Sequence, residues 1–221
     1  MTHAPTKVVL VTGASRGVGA EVAQRLADAD THVLVNYRAQ ADHAEAVATA
    51  IRAAGGHAST LAADISDESS AAAMLESIAS RFGRLDAVIL NASVGTDLAS
   101  GPGLAIRLNR EAQRRLASLA MPLMPVGGRI VFVTSHQAHF FPFKAVPKGY
   151  ATVAAGKRAG ETALYSMRST FGQAGIHFTV VSGNVSSDAS EEFVPAILDA
   201  ATSPNPQTMV YVGRTNYVAA A

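Results

Sequence analysis

Short apolar runs alternate with longer stretches in which apolar residues recur every three or four positions, and the alternation continues along the whole chain. The runs predict strands at Lys7–Thr12, His32–Tyr37, His57–Ala62, Ala87–Leu90, Arg129–Thr134, His177–Ser182 and Met209–Val212. The amphipathic stretches predict helices at Val18–Ala29, Ala41–Ala54, Ser69–Arg81, Leu104–Met121, Thr152–Gln173 and Glu191–Ala201. Segments such as VVLV, IVFV and FTVV are almost unbroken apolar runs, as expected of parallel strands that crossover helices bury on both faces. Glycines at Gly55-Gly56, Gly83, Gly127-Gly128 and Gly172/Gly175 stand where helices stop and strands begin. The pattern predicts an α/β fold, a doubly wound parallel sheet of about seven strands with helices on both faces.

Composition narrows the function classes. The 221 residues are 48% apolar and 16% charged, with a formal net charge of +1, which suits one globular domain spanning 1–221. There is no cysteine, so disulfides, thiolate nucleophiles and cysteine-ligated zinc are excluded. Interspersed charges near balance argue against nucleic acid or an anionic membrane as partner. Met1–Thr6 lacks the layout of a signal peptide and no apolar run has the length of a membrane span, which leads to the expectation of a cytoplasmic protein. Of eighteen basic residues four are lysines, and only Lys157 falls in a predicted helix.

In a doubly wound sheet ligands bind beyond the carboxyl ends of the strands, so the residues that follow each strand carry the functional information. After the first strand comes Thr12-Gly13-Ala14-Ser15-Arg16-Gly17-Val18-Gly19, opening a helix. Glycines permit a tight turn and close backbone approach, and the helix N-terminus offers free N–H groups to a pyrophosphate. The second strand ends Asn36-Tyr37-Arg38. An acid there would favour the ribose of NAD; instead Arg38, with Arg16, can flank a 2′-phosphate, which favours NADP(H) over NAD(H).

The T-G-x-x-x-G-x-G spacing resembles that of the short-chain dehydrogenase/reductase family, and the resemblance runs along nearly the whole chain. It implies a Rossmann-type fold and cofactor contacts from Gly13, Ser15, Arg16, Gly17, Val18, Gly19, Asn36 and Arg38. It also implies that Asp64 and Ile65 hold the adenine ring and that Asn91-Ala92, followed by Ser93 where glycine is usual, shape the sheet end beside the cofactor. Asn109 resembles the family's proton-relay asparagine, and Ser135 its carbonyl-positioning serine. In Ser182-Gly183-Asn184-Val185-Ser186-Ser187 the resemblance implies that Val185 and Ser187 hold the nicotinamide carboxamide. Homodimers or homotetramers built on the helices after the fourth and fifth strands are implied too, and the stripe Leu116, Leu119, Ala120 and Leu123 suits either core or interface.

One departure bears on the chemistry. The family places a tyrosine four residues before the lysine, because a phenol of intrinsic pKa about 10 needs a nearby cation to protonate the alkoxide left by hydride transfer. Lys157 sits in the matching context, but position 153 is valine. Tyr150 stands seven residues ahead, within about 20° of the same helix face, and Pro147 and Gly149 place it at or before the helix start. Three readings follow: Tyr150 is a displaced acid; a water, His136 or His139 replaces it; or the protein binds NADP(H) without turnover. The function expected is thus an NADP(H)-dependent oxidoreductase acting on a carbonyl or alcohol through Ser135, Tyr150, Lys157 and Asn109, the alternative being a catalytically impaired NADP(H)-binding regulator or scaffold. His136 and His139 lack a third ligand for a metal and are expected to line the pocket. Relative to the family the chain is short between Asn91 and Asn109 and between Asp188 and Pro195, predicting an abbreviated lid over the substrate.

Overall fold

A computed structural model describes residues 5–93, 107–147, 149–183 and 190–213. Seven parallel strands form one sheet in the order β3-β2-β1-β4-β5-β6-β7, the Rossmann-type arrangement expected. They are β1 (Lys7–Val11), β2 (Thr31–Tyr37), β3 (His57–Ala62), β4 (Ala87–Leu90), β5 (Arg129–Ser135), β6 (His177–Gly183) and β7 (Met209–Tyr211). The order reverses between β1 and β4, which pair through Val9–Val11 and Ala87–Ile89, so a crevice opens above their carboxyl ends.

Helices α1 (Gly17–Leu26) and α2 (Ala41–Ala53) cover one face together with α8 (Ser190–Thr202). The other face carries α3 (Glu68–Phe82), α4 (Gln113–Ala120) and α6 (Ala151–Tyr165), with α7 (Arg168–Gln173) following the last of these. A one-turn helix, α5 (His136–His139), leaves the end of β5. Both sheet faces are dry: Leu10, Leu34, Leu90 and Ile130 on one side and Val11, Val35 and Ile89 on the other are fully buried, each such side chain contributing about 1.5–3 kcal/mol. The ends of α3 show how local chemistry sets its limits. The Asp67 carboxylate accepts from the Ser70 N–H at the start, and Gly83 turns into the left-handed region at φ +67° to stop it.

Two predicted helices need correction. The stretch expected as one helix over Thr152–Gln173 divides at Ser166–Met167, where the Ser166 hydroxyl donates to the Ala163 carbonyl and the Met167 N–H shortens its bond to the Leu164 carbonyl. The described part of the helix expected over Leu104–Met121 begins as a π-helix, Arg107–Ala112, before continuing as α4. Leu116 and Ala120 are core, whereas Leu119 is exposed. No helix among the described residues is long and apolar enough to cross a membrane.

Candidate active site

The nucleotide end is built from the tips of β1, β2 and β4. The Thr12 hydroxyl donates to the Ile89 carbonyl and accepts from the N–H groups of Asn91 and Ala92, each about 3 Å away. The Asn91 amide donates back to the carbonyls of Thr12 and Gly13. Gly17 needs its positive φ of +57°, while Gly19 is required by proximity, because a Cβ there would stand 2.4 Å from the Asn91 amide nitrogen and 2.6 Å from the Gly13 carbonyl oxygen. No side chain caps α1, so the N–H groups of its first turn, around Val18, remain available to an anion.

Asn36 is buried beneath this loop. Its carbonyl oxygen accepts from the Gly13 N–H and its amide donates to the carbonyls of Leu61 and Ala63. It therefore shapes the cradle through the backbone, with its side chain committed inward. Arg16 and Arg38 are exposed, and the Arg38 guanidinium lies 4.0 Å from the Asp64 carboxylate. The other Asp64 oxygen accepts from the N–H and hydroxyl of Ser66, Ile65 is buried, and the Ser15 hydroxyl lies 3.5 Å from the Gln40 amide oxygen. A bare-glycine cradle, an uncapped helix start and two exposed guanidiniums, Arg16 at the start of α1 and Arg38 after β2, fit a phosphorylated dinucleotide.

The reacting end lies at β5 and α6. Gly149 takes φ +85° and Tyr150 precedes the first turn of α6, which swings its hydroxyl to 3.0 Å from the Ser135 hydroxyl. Val153, at the position where the family carries its tyrosine, is buried. Burial pushes the Tyr150 phenol above its usual range, partly opposed by the bond to Ser135. Burial pushes the Lys157 ammonium down to about 8, and it has no hydrogen bond or ion pair among the described residues. Asn109 lies in the π-helical turn, buried, with no hydrogen-bond partner for its amide nitrogen among the described residues.

Of the two histidines expected to line the pocket, His136 does not. His136 is fully buried; its Nε2–H donates to the Val212 carbonyl and its Nδ1 accepts from the Ser182 hydroxyl. Desolvation lowers its pKa, so it is a neutral structural group. The His139 Nδ1–H donates to the Glu161 carboxylate, and its Nε2 meets the Tyr211 hydroxyl. Among the described residues no group of three His, Cys, Asp or Glu is arranged to hold a metal ion.

Ser135 and Tyr150 are thus brought together, as are Arg38 and Asp64, while Val185 and Ser187 lie outside the described residues. Gln113 was not anticipated. It is buried and its amide donates to the Ala92 carbonyl at 2.7 Å; the available signal was a glutamine four residues after Asn109 on an otherwise apolar helix face. Glu161 was also missed, a fully buried carboxylate one helical turn after Lys157.

A family model described as short chain dehydrogenase matches residues 7–196. A probable tetrahydroxynaphthalene reductase of Zymoseptoria tritici is 32% identical over 200 residues, covering 86% of this chain and 73% of that protein. A metagenomic short-chain oxidoreductase, solved in complex with NADP, superimposes with a TM-score of 0.79 at 25% identity over 95% of this chain and 97% of its own. A landomycin C-6 ketoreductase solved with bound NADP and rabelomycin does so with a TM-score of 0.73 at 26% identity, covering 94% of each chain.

Proposed function

The chain belongs to the short chain dehydrogenase family, whose chemistry is hydride transfer between a nicotinamide cofactor and a carbonyl or alcohol carbon, and we propose that this member works with NADP(H) and uses Tyr150 as its proton donor. The observation that carries the proposal is the 3.0 Å separation of the Tyr150 and Ser135 hydroxyls, reached although position 153 is valine.

When bound, the reduced nicotinamide supplies the hydride. The Ser135 oxygen accepts from the Ala138 N–H, which leaves its own hydrogen free to donate to a substrate carbonyl oxygen and hold it beside Tyr150. The Tyr150 hydroxyl then gives its proton to that oxygen as negative charge develops. Burial holds the phenol protonated, and the Lys157 ammonium offsets the cost of its ionisation by stabilising the phenolate it becomes. Asn109, in its π-helical turn, serves the path by which the phenolate is reprotonated. In the alcohol-oxidising direction the same groups act in reverse.

The cofactor preference draws on Arg16 and Arg38, on the lack of an acid at positions 36–38, and on the NADP carried by the solved relatives. Thr12, Asn36 and Asn91 keep the glycine loop open, Asp64 and Ile65 take the adenine, and Val185 and Ser187 take the carboxamide. The whole chain acts as one domain, in the cytoplasm, as a dimer or tetramer. The oligomer is supported by a groove between α4 and α6 lined by Arg110, Glu111, Arg114, Leu119 and Phe141, which contains none of the reacting groups and presents both signs of charge to a second copy.

The test is NADPH oxidation with a panel of ketones, aldehydes and quinones, including polycyclic aromatic ketones, beside Tyr150→Phe and Lys157→Ala. Turnover that falls about 10²–10⁴-fold in Tyr150→Phe, with NADPH affinity kept, is the expected result. NADPH binding without turnover of any carbonyl would convert the reading to a cofactor-binding regulator, the outcome that Val153 makes worth testing.

A further inference from the structure

Ser135 has a second attachment besides Tyr150. It caps α5, its oxygen accepting from the Ala138 N–H at 3.2 Å. That single turn is fastened at both ends. At its start, His136 bonds Ser182 on β6 and Val212 just beyond β7. At its end, the His139 Nδ1–H lies 2.8 and 2.9 Å from the two oxygens of Glu161, a carboxylate with no exposure at all. The Arg158 guanidinium donates to Glu161 at 2.9 Å, and the Tyr211 hydroxyl closes the chain on the His139 Nε2 at 2.9 Å. The imidazole stands edge-on against two rings that stack on each other, Phe140 at 4.8 Å and Tyr211 at 5.3 Å between centroids.

We propose that the Tyr211–His139–Glu161–Arg158 chain is a positioning device that sets Ser135 against Tyr150. Glu161 sits on α6, the helix that Tyr150 leads into and that carries Lys157 one turn earlier. His139 sits on the turn that Ser135 caps. The His139–Glu161 hydrogen bond therefore ties the segment bearing one hydroxyl to the segment bearing the other. A buried carboxylate is a costly way to hold two elements together, because apolar packing would serve adhesion as well. What it adds is direction: with one N–H aimed at both carboxylate oxygens and a hydroxyl on the opposite ring nitrogen, the turn cannot rotate without stranding a buried charge. Among the described residues none of these four side chains hydrogen-bonds Ser135, Tyr150, Lys157 or Asn109, so they act through the backbone of α5 and α6.

The consequence for turnover rests on Ser135 and Tyr150 being the reacting pair; the consequence for geometry does not, and the experiment separates them. Amide hydrogen exchange at Ala138 reports the Ser135 cap directly, and NADPH affinity reports the nucleotide end. In His139→Leu, Ala138 exchange is expected to rise about tenfold or more while the amides of β1 and β4 keep their protection. NADPH affinity stays within about twofold, and kcat falls about tenfold with little change in KM. His139→Asn, whose amide nitrogen can stand near the position of Nδ1 and donate to Glu161, is expected to recover most of both effects. Tyr211→Phe, which deletes one hydroxyl and leaves the ring, gives a smaller rise at Ala138 and keeps the test alive if the leucine variant does not fold. Unchanged Ala138 exchange in these variants, or a rise spread equally over β1 and β4, overturns the proposal. If the unaltered protein turns over no carbonyl, the reading of Ser135 and Tyr150 as the reacting pair is what fails, and the exchange pattern still decides the role of the chain.

Discussion

Gly160 presents its bare Cα to the carbonyl oxygen of Asn109, so close that an added Cβ would stand 1.8 Å from that oxygen. The contact joins the π-helical turn to α6 and explains why a glycine, weak as a helix former, occupies the interior of α6. A methyl group here meets backbone, which cannot rotate away. Gly160→Ala should therefore cost about 1–3 kcal/mol and lower the melting temperature by several degrees, with kcat reduced because Asn109 and Lys157 are forced apart. Melting and turnover equal to the parent protein would show that the two helices separate freely.

Lys157 should set activity and stability against each other. Its folded-state pKa of about 8 lies below the ordinary 10.5, so the fold disfavours its charged form. Below pH 8 the full penalty is present; between about 8 and 10.5 the unfolded chain binds more protons, and stability gains with rising pH. In the proposed mechanism the ammonium stabilises the phenolate, so kcat should fall as pH passes about 8, while this group's contribution to stability improves. Lys157→Met should stabilise the cofactor-free protein by about 1–3 kcal/mol at pH 7, after allowance for water reaching a half-buried ammonium, and should abolish turnover. Denaturation curves at pH 7 and 10, beside a pH–rate profile, measure both; an equal loss of stability and activity would contradict the sign.

Gln113 supports the nucleotide end of the site through its 2.7 Å bond to the Ala92 carbonyl. Gln113→Leu keeps the volume and leaves that carbonyl without a donor, a loss of about 1–3 kcal/mol. Since Ala92 is tied to Thr12 and Gly13 packs against it, the effect should appear as weaker NADPH binding, read by fluorescence titration. The Ser135–Tyr150 pair lies on other elements, and kcat at saturating cofactor should change less than threefold, roughly the scatter of distant substitutions.

The strands were legible because burial on both faces leaves an unbroken apolar run, and their ends fall within about one residue of the expected positions. The glycine loop was legible for the same local reason. Other features depend on contacts between distant segments. The π-turn at Asn109 and the break at Ser166–Met167 keep an ordinary helical pattern of apolar residues, so periodicity is blind to them. The fate of His136 was decided by Val212 and Ser182, 76 and 46 residues away. Tyr150 is the intermediate case: Pro147 and Gly149 announced a bend before the helix, but only the fold shows that the bend delivers its hydroxyl to Ser135.

Cofactor choice should rest on Arg38 more than on the fold's stability. Its guanidinium is mostly exposed and stands 4.0 Å from Asp64, a surface pair worth less than about 1 kcal/mol. Removing it should leave the melting temperature nearly unchanged. A 2′-phosphate, however, would lose a charge-assisted bond of about 1.5–3 kcal/mol, which is roughly a ten- to hundredfold loss in kcat/KM with NADPH. NADH carries no such phosphate, so its kcat/KM should hold steady in Arg38→Leu and rise in Arg38→Asp, where an acid meets the ribose hydroxyls. Arg16 gives the control: exposed and uncapped at the start of α1, it should contribute a smaller part of the same preference, and Arg16→Leu with Arg38→Leu should exceed either alone. A ratio of NADPH to NADH efficiency that does not move in the double variant would place the 2′-phosphate away from the end of β2.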